Sequence, residues 1–182
     1  MKLYSDLATW YSLLTPLEEY AVESQDYLRA FQNMLGPGRH TLLELGAGAG
    51  HNAHFFQAAF DLHLTDISPQ MLALTEQTCP NAQRTVGDMR TLRLGRTFDA
   101  VFVHDSVCYM TTPQDVAALL TTCRVHLEKD GVLLIAPDAV TETFSPSTDC
   151  GGSDGNGRSL RYLEWVWQRP GQVNGYVVDY TL

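Results

Sequence analysis

From Glu44 to Gly50 the chain reads Glu-Leu-Gly-Ala-Gly-Ala-Gly, an acid followed by glycines at every second position. Glycine has no Cβ, so backbone of this composition lets a ligand approach closely. Two further acids follow short apolar runs, Asp66 in Leu-Thr-Asp-Ile-Ser-Pro and Asp88 in Gly-Asp-Met. An ionised carboxylate accepts two hydrogen bonds, which suits Asp66 to the vicinal hydroxyls of a ribose. Asp88 is placed to accept the exocyclic amine of an adenine, with Ile67 and Met89 on either side of its ring. Glu44 would repel a pyrophosphate and attract a ligand bearing an ammonium and a sulfonium. A dinucleotide fingerprint also needs a glycine three residues after Gly48, where this chain has His51. An NAD-dependent oxidoreductase is therefore the poorer reading. The bland alternative is a tight turn that packs helix on strand and binds nothing.

A second group of reactive side chains follows the apolar run Phe98–Val103. His104 and Asp105 stand at its end, facing the same region by topology, and Tyr109 lies a little further on. The two are candidates for a general base, and Tyr109 for shaping an acceptor site. The plainer alternatives are that His104 only packs on a bound ligand and that Asp105 caps the loop toward Thr112.

These residues need a scaffold that gathers strand ends. The first 35 residues read as helical, with Leu17, Tyr20, Ala21, Ser24, Leu28, Phe31 and Leu35 forming one stripe, and Gly36-Pro37-Gly38 stops them. Thr41–Leu45 is a short strand ending in the glycine turn, with a helix expected through Phe60. Leu62–Thr65 is a second strand, followed by Ser68-Pro69 as N-cap and first helical residue of a helix through Thr78. Gln83–Val86 and Phe98–Val103 are the third and fourth strands. Thr112-Pro113 opens another helix with a stripe of Val116, Leu120, Cys123 and Leu127, and Val132–Ala136 is a fifth strand. Apolar strands alternating with helices imply a parallel, doubly wound α/β sheet covered on both faces, with strand order 3-2-1-4-5. Residues 145–157, rich in Ser, Gly, Asp and Asn, read as a flexible loop. Residues 158–182, rich in β-formers around Pro170-Gly171, read as an antiparallel hairpin. The expected organisation is a helical lid over 1–38, a core over 39–144, that loop and that hairpin.

Net charge −9 over 182 residues argues against nucleic acid as a partner, because neutralising phosphates needs a basic surface. No apolar run reaches the roughly 20 residues of a membrane span, and the N-terminus lacks the features of a secretory signal, so a cytoplasmic protein is expected. The four cysteines are dispersed without a Cys-x-x-Cys pair, so no zinc site or disulfide framework is expected. His51 and His54 share a helix face, but packing is the better reading than metal binding. Tyr162, Trp165 and Trp167 give the hairpin an aromatic face, suited to walling an acceptor pocket, covering the sheet or contacting a second copy in a homodimer.

The segments Glu44–Gly50, Leu64–Leu72, Gly87–Met89, Phe98–Val103 and Gly131–Ile135 together resemble the class I S-adenosylmethionine (SAM)-dependent methyltransferase family, over about residues 40 to 137. The resemblance implies a Rossmann-like fold and the cofactor SAM, converted to S-adenosylhomocysteine as a methyl group passes to a small-molecule acceptor. It implies that Glu44, Gly46, Ala47, Gly48 and Gly50 line the methionyl part and that Asp66 holds the ribose. Ile67, Asp88 and Met89 would hold the adenine, with Met71 in the matched second segment beside them. His104 would offer its backbone to the cofactor's amino group, and Tyr11, in the stretch Tyr4…Trp10-Tyr11, would belong to an aromatic lid. Family members continue to seven core strands, whereas this chain reads as ending before the last two, a truncated form. A SAM-binding module without catalysis is the alternative from outside the enzymes.

Overall fold

The computed structural model describes residues 2–155, 157–171 and 175–182. Met1, Asn156 and residues 172–174, the last within the expected hairpin, lie outside the described residues. The N-terminal stretch is helical but broken: short 3-10 turns at Lys2–Tyr4 and Ala8–Trp10 lead into α1 (Tyr11–Leu14). Pro16, with no amide hydrogen to donate, separates α1 from a further 3-10 turn and then α2 (Ala21–Leu35). The single helical run expected over this region is thus several pieces, although Ser24 and Phe31 of the expected stripe are buried.

β1 (His40–Leu45) ends in the glycine turn, and α3 (His51–Phe56) follows it. α3 stops at Phe56 rather than Phe60, because Phe60 already opens β2 (Phe60–Asp66) as the partner of His40. α4 (Pro69–Thr78), β3 (Gln83–Val86), β4 (Phe98–His104), α5 (Pro113–His126) and β5 (Leu127–Ala136) complete the alternation. Both Ser/Thr-Pro starts form as expected: Ser68 Oγ accepts from the Met71 amide at 3.2 Å and Thr112 Oγ1 from Asp115 at 3.1 Å.

The five strands are parallel in the order β3-β2-β1-β4-β5. Alternate residues of β1 point to opposite faces. Leu42 joins Phe31, Phe56, Phe60, Leu64 and Phe102 in one core, while Leu43 and Leu45 join Val101, Val103, Leu119 and Cys123 in the other. α5 is rotated from its expected stripe. Leu119, Thr122, Cys123 and His126 are buried, whereas Val116 and Leu120 are exposed. Polar groups set this rotation, since His126 Nε2 accepts from the Leu94 amide at 2.9 Å and Thr122 Oγ1 from Arg93 at 2.7 Å.

The segment expected as a loop over 145–157 is largely a strand, β6 (Ser147–Gly155), paired antiparallel with β7 (Arg158–Trp167). With β8 (Val177–Thr181) it makes a separate three-stranded sheet, β6-β7-β8. Its composition favours turns, but nine register pairs with β7 supply the backbone partners that override local preference. At Gly152, φ is +155° and a Cβ would strike the Arg161 backbone at 2.9 Å, so the glycines read as loop formers serve close strand pairing.

The edges of β1 and β4 are tied where they enter the sheet. Asp99 Oδ2 accepts from the Thr41 amide at 2.7 Å and from Thr41 Oγ1 at 2.8 Å, and these bonds hold its carboxyl below the usual carboxylate range. A depressed carboxyl stabilises the fold above its unfolded-state value and loses that contribution as pH falls through the folded one. Asp99→Ala is expected to cost about 1–3 kcal/mol at neutral pH. In urea titrations, the gap from the wild type should shrink toward strongly acid pH.

Candidate active site

The strand order reverses between β1 and β4, which leaves a crevice beyond their carboxyl ends where ligands of open α/β sheets bind. The glycine turn caps it. Gly46, Gly48 and Gly50 all have positive φ, at 75°, 54° and 75°. The Gly46 and Ala47 amides donate to Thr65 O at 2.8 and 2.9 Å, which fastens the turn to β2. A Cβ at Gly46 would lie 2.5 Å from Ser106 Cβ and 2.9 Å from Met89 Cε. The turn, Met89 and the segment after β4 therefore meet at one point.

Asp66 braces the turn from the neighbouring strand. Its Oδ2 accepts from the Gly48 amide and its Oδ1 from the Ser68 amide, both at 2.8 Å. Burial pushes its carboxyl up while these amides pull it down, and the net is upward. Glu44 is 3% exposed, and its Oε2 has no hydrogen-bond partner. Burial first, then the charge of Asp66, drives its carboxyl up to about 8. Ala47 and Met71 are buried, with Met71 packed against Ala49, Tyr4 and Tyr11.

The other expected adenine residues divide. Met89 reaches the turn, but Ile67 is 66% exposed. Asp88 is gripped by Arg90: its Oδ2 accepts from Arg90 Nη2 at 2.6 Å and its Oδ1 from the Arg90 amide at 2.8 Å. Arg90 also reaches Asp115 at 2.9 Å, and its contact holds the Asp88 carboxyl low.

The N-terminal segment crosses this region. Tyr4 and Tyr109 hydroxyls lie 2.8 Å apart, Ser68 Oγ donates to Tyr4 O, and Tyr11 stacks on His51 with ring centroids 5.6 Å apart. Burial raises the phenols of Tyr4, Tyr11, Tyr20 and Tyr109, so each keeps its proton and serves as donor or wall rather than base. The second sheet holds the same segment, with Arg158 over the Trp10 ring at 3.5 Å and Ser153 Oγ donating to Leu13 O at 2.7 Å. His51 is buried and lowered to about 4, and His54 bonds Thr78 O at 2.8 Å; both are packing residues here.

His104 ends β4 and Asp105 follows it, beside a cavity of about 190 Å³ lined also by Thr15, Glu19, Tyr20 and Glu23. His104 Nε2 is 3.3 Å from Glu23 Oε1, and its Nδ1 is 3.3 Å from Asp105 Oδ2. Tyr27 and Phe102 flank its ring at centroid distances of 5.6 and 5.9 Å. Asp105 has φ 25°, strained for a residue other than glycine. Burial pushes its carboxyl up to about 6, against the pull of His104 and with further upward pressure from Asp138 and Glu23. Sequence reasoning missed Glu23 and Tyr27. Their signal was present, because residues 20, 23 and 27 share one helix face and surround a single imidazole.

A glycine turn at the topological switch, a partnerless buried acid behind it and a braced aspartate on the next strand define an α/β domain built for a cationic nucleoside cofactor. The pattern of the family described as a methyltransferase domain matches residues 42–131. Over 130 residues the chain is 33% identical to a dTDP-3-amino-3,4,6-trideoxy-α-D-glucopyranose N,N-dimethyltransferase of Streptomyces venezuelae, covering 70% of this chain and 54% of that one. It thus spans about half the length of the curated relatives it matches. The crystal structure of DesVI from Streptomyces venezuelae superposes with TM-score 0.75 at 26% identity, covering 90% of this chain and 76% of that one. A SAM-bound amino pentose methyltransferase from Micromonospora echinaspora superposes with TM-score 0.71 at 25% identity, covering 87% and 73%.

The chain belongs to the class I SAM-dependent methyltransferases, and its cofactor is SAM. The residues present suit that group: the Gly46 cradle excludes a Cβ, and the unsatisfied Glu44 oxygen offers an acceptor to a cation. Among the described residues there is no helix long and apolar enough to cross a membrane.

Proposed function

We propose that this chain methylates an amine on a small molecule, with SAM as methyl donor. The observation that carries the reading is the cavity at the end of β4, where Glu19, Glu23 and Asp105 supply acid around His104 and no Lys or Arg lines the wall. Such a cavity draws an ammonium and disfavours a phosphate. The names of the curated relatives, both N,N-dimethyltransferases of dTDP-amino sugars, point to the same acceptor class. The site lies next to the cofactor turn, because Ser106 directly follows Asp105 and donates to Leu45 O at 3.0 Å.

SAM supplies the activated methyl group. An ammonium has no lone pair, so the acceptor must lose a proton before it attacks. Asp105 is the base: its carboxylate is ionised above about pH 6 and forms part of the cavity wall. His104, with carboxylates facing both ring nitrogens, orients Asp105. Tyr109, whose hydroxyl meets that of Tyr4, is the residue assigned to shape the acceptor side. On the cofactor side the roles are Glu44 and Gly46–Gly50 for the methionyl part, Asp66 for the ribose, Met71 and Met89 for the adenine pocket, and Tyr11 for the lid. Ile67 and Asp88 would join the adenine only after Ile67 turns inward and Arg90 releases the carboxylate.

The test is methyl transfer from labelled SAM to an amino sugar nucleotide and to its hydroxyl counterpart. The amine should accept methyl and the hydroxyl should not. kcat/KM should rise with pH through about 6 as Asp105 ionises, and Asp105→Asn should lower kcat roughly 100-fold and erase that limb. Transfer to the hydroxyl alone would refute the amine reading. Cofactor binding without transfer to any acceptor would leave a binding module.

Further parts of the proposal concern its setting. The groove of about 440 Å³ over Trp165, Trp167 and Asp179, with both tryptophans 38% exposed, is a homodimer contact, checked by light scattering of the wild type against Trp165→Ser. The acidity of the chain keeps nucleic acid and membrane surfaces out of its partners, and the reaction belongs in the cytoplasm.

A further inference from the structure

Glu44 has an environment that its role as a cofactor wall does not explain. Among the described residues no cationic side chain pairs with it. From β2 the group that bears on it is another acid, Asp66. From the end of α4 it is the buried thiol of Cys79, itself pushed upward. β4 sets the apolar Phe102 opposite it in register. On α3 the His51 ring is neutral and engaged by Tyr11 and Tyr20. A wholly buried, unpaired carboxylate costs several kcal/mol, and a carboxyl so placed takes up a proton instead.

We propose that Glu44 is protonated in the free protein and releases its proton to solvent as SAM enters, so that cofactor capture is coupled to proton release. The inference rests on the assignment of this pocket to SAM. The balance is simple: the Glu44 O–H bond breaks, the proton goes to the buffer, and the carboxylate left behind faces the cofactor's positive charge. No other bond changes. The raised carboxyl agrees with this, being more than half protonated below about pH 8. Occupancy by a cation lowers it, and affinity must then rise with pH by linkage.

The measurement is calorimetry of SAM binding to the full chain at about pH 7, in buffers of different ionisation enthalpy. Release of close to one proton is expected, with affinity increasing roughly tenfold from about pH 6.5 to about pH 8. Glu44→Gln should remove the release, after subtraction of the cofactor's own amino group, which titrates in both proteins. Infrared difference spectra give a second readout: SAM should remove a protonated-carboxyl band and add a carboxylate band in the wild type only. SAM binding with neither proton release nor band loss would overturn the proposal and leave the cofactor assignment standing. Release that persists in Glu44→Gln would overturn it too, by placing the proton elsewhere. Absence of SAM binding by the wild type would overturn the assignment of the pocket and the proposal with it.

Discussion

Gly46→Ala will unfold at a temperature roughly 10 °C below the wild type and will no longer bind SAM measurably. Two costs combine. At φ 75° an alanine pays about 1–2 kcal/mol for the left-handed conformation. Its methyl also meets Ser106 Cβ at 2.5 Å and Met89 Cε at 2.9 Å, an overlap worth about 1–3 kcal/mol in a packed region. Gly95→Ala separates the two, since Gly95 has φ 68° and nothing within 4 Å of a Cβ. Thermal unfolding should show only the conformational part there. Ser106→Gly in the Gly46→Ala background should recover the share of the steric part that Ser106 imposes. If Gly95→Ala and Gly46→Ala lose stability equally, Ser106 and Met89 do not crowd the turn.

Asp66→Ala should weaken SAM binding by at least about 100-fold, measured by calorimetry, and should lower stability by about 2–3 kcal/mol. The carboxylate accepts from two backbone amides that lie on different elements, the glycine turn and the start of α4. Its loss strands both donors, frees Gly48 to move and removes the group assigned to the ribose. Asp66→Asn keeps one acceptor oxygen and turns the other into a donor, so an intermediate loss, about tenfold, is expected. The same variants test the neighbouring acid. With the Asp66 charge removed, repulsion on Glu44 falls, its carboxyl drops, and proton release on binding should diminish. Unchanged affinity in Asp66→Ala would remove this residue from the site.

Part of this site was legible in the residue order because its parts are local. Glu44, the glycine turn and Asp66 lie at the ends of short strands whose apolar runs announce themselves, and the parallel order 3-2-1-4-5 follows from right-handed crossovers. The Ser-Pro and Thr-Pro helix starts depend on nearest neighbours alone, and both form as read. The misses have the opposite character. β6 looks like a loop because its composition favours turns, and only pairing with β7 makes it a strand. α5 buries Leu119 and His126 instead of Val116 and Leu120 because hydrogen bonds from the Arg93–Leu94 segment rotate it. Asp88 is held by Arg90, a choice of partner that spacing does not reveal.

Residue order alone determined that acids and glycines gather in the pocket beyond the carboxyl ends of neighbouring parallel strands. An acid, three glycines and a second acid at successive strand ends need only the chirality of the backbone to converge. Tertiary structure alone decided which charges in that pocket are satisfied. Glu44 is left without a partner, Asp66 is taken up by two amides, and His104 is enclosed by Glu23 and Asp105 from elements far apart in the chain. The reason is that desolvation and pairing depend on what fills the surrounding space, and in a folded chain that space is furnished by residues remote in sequence.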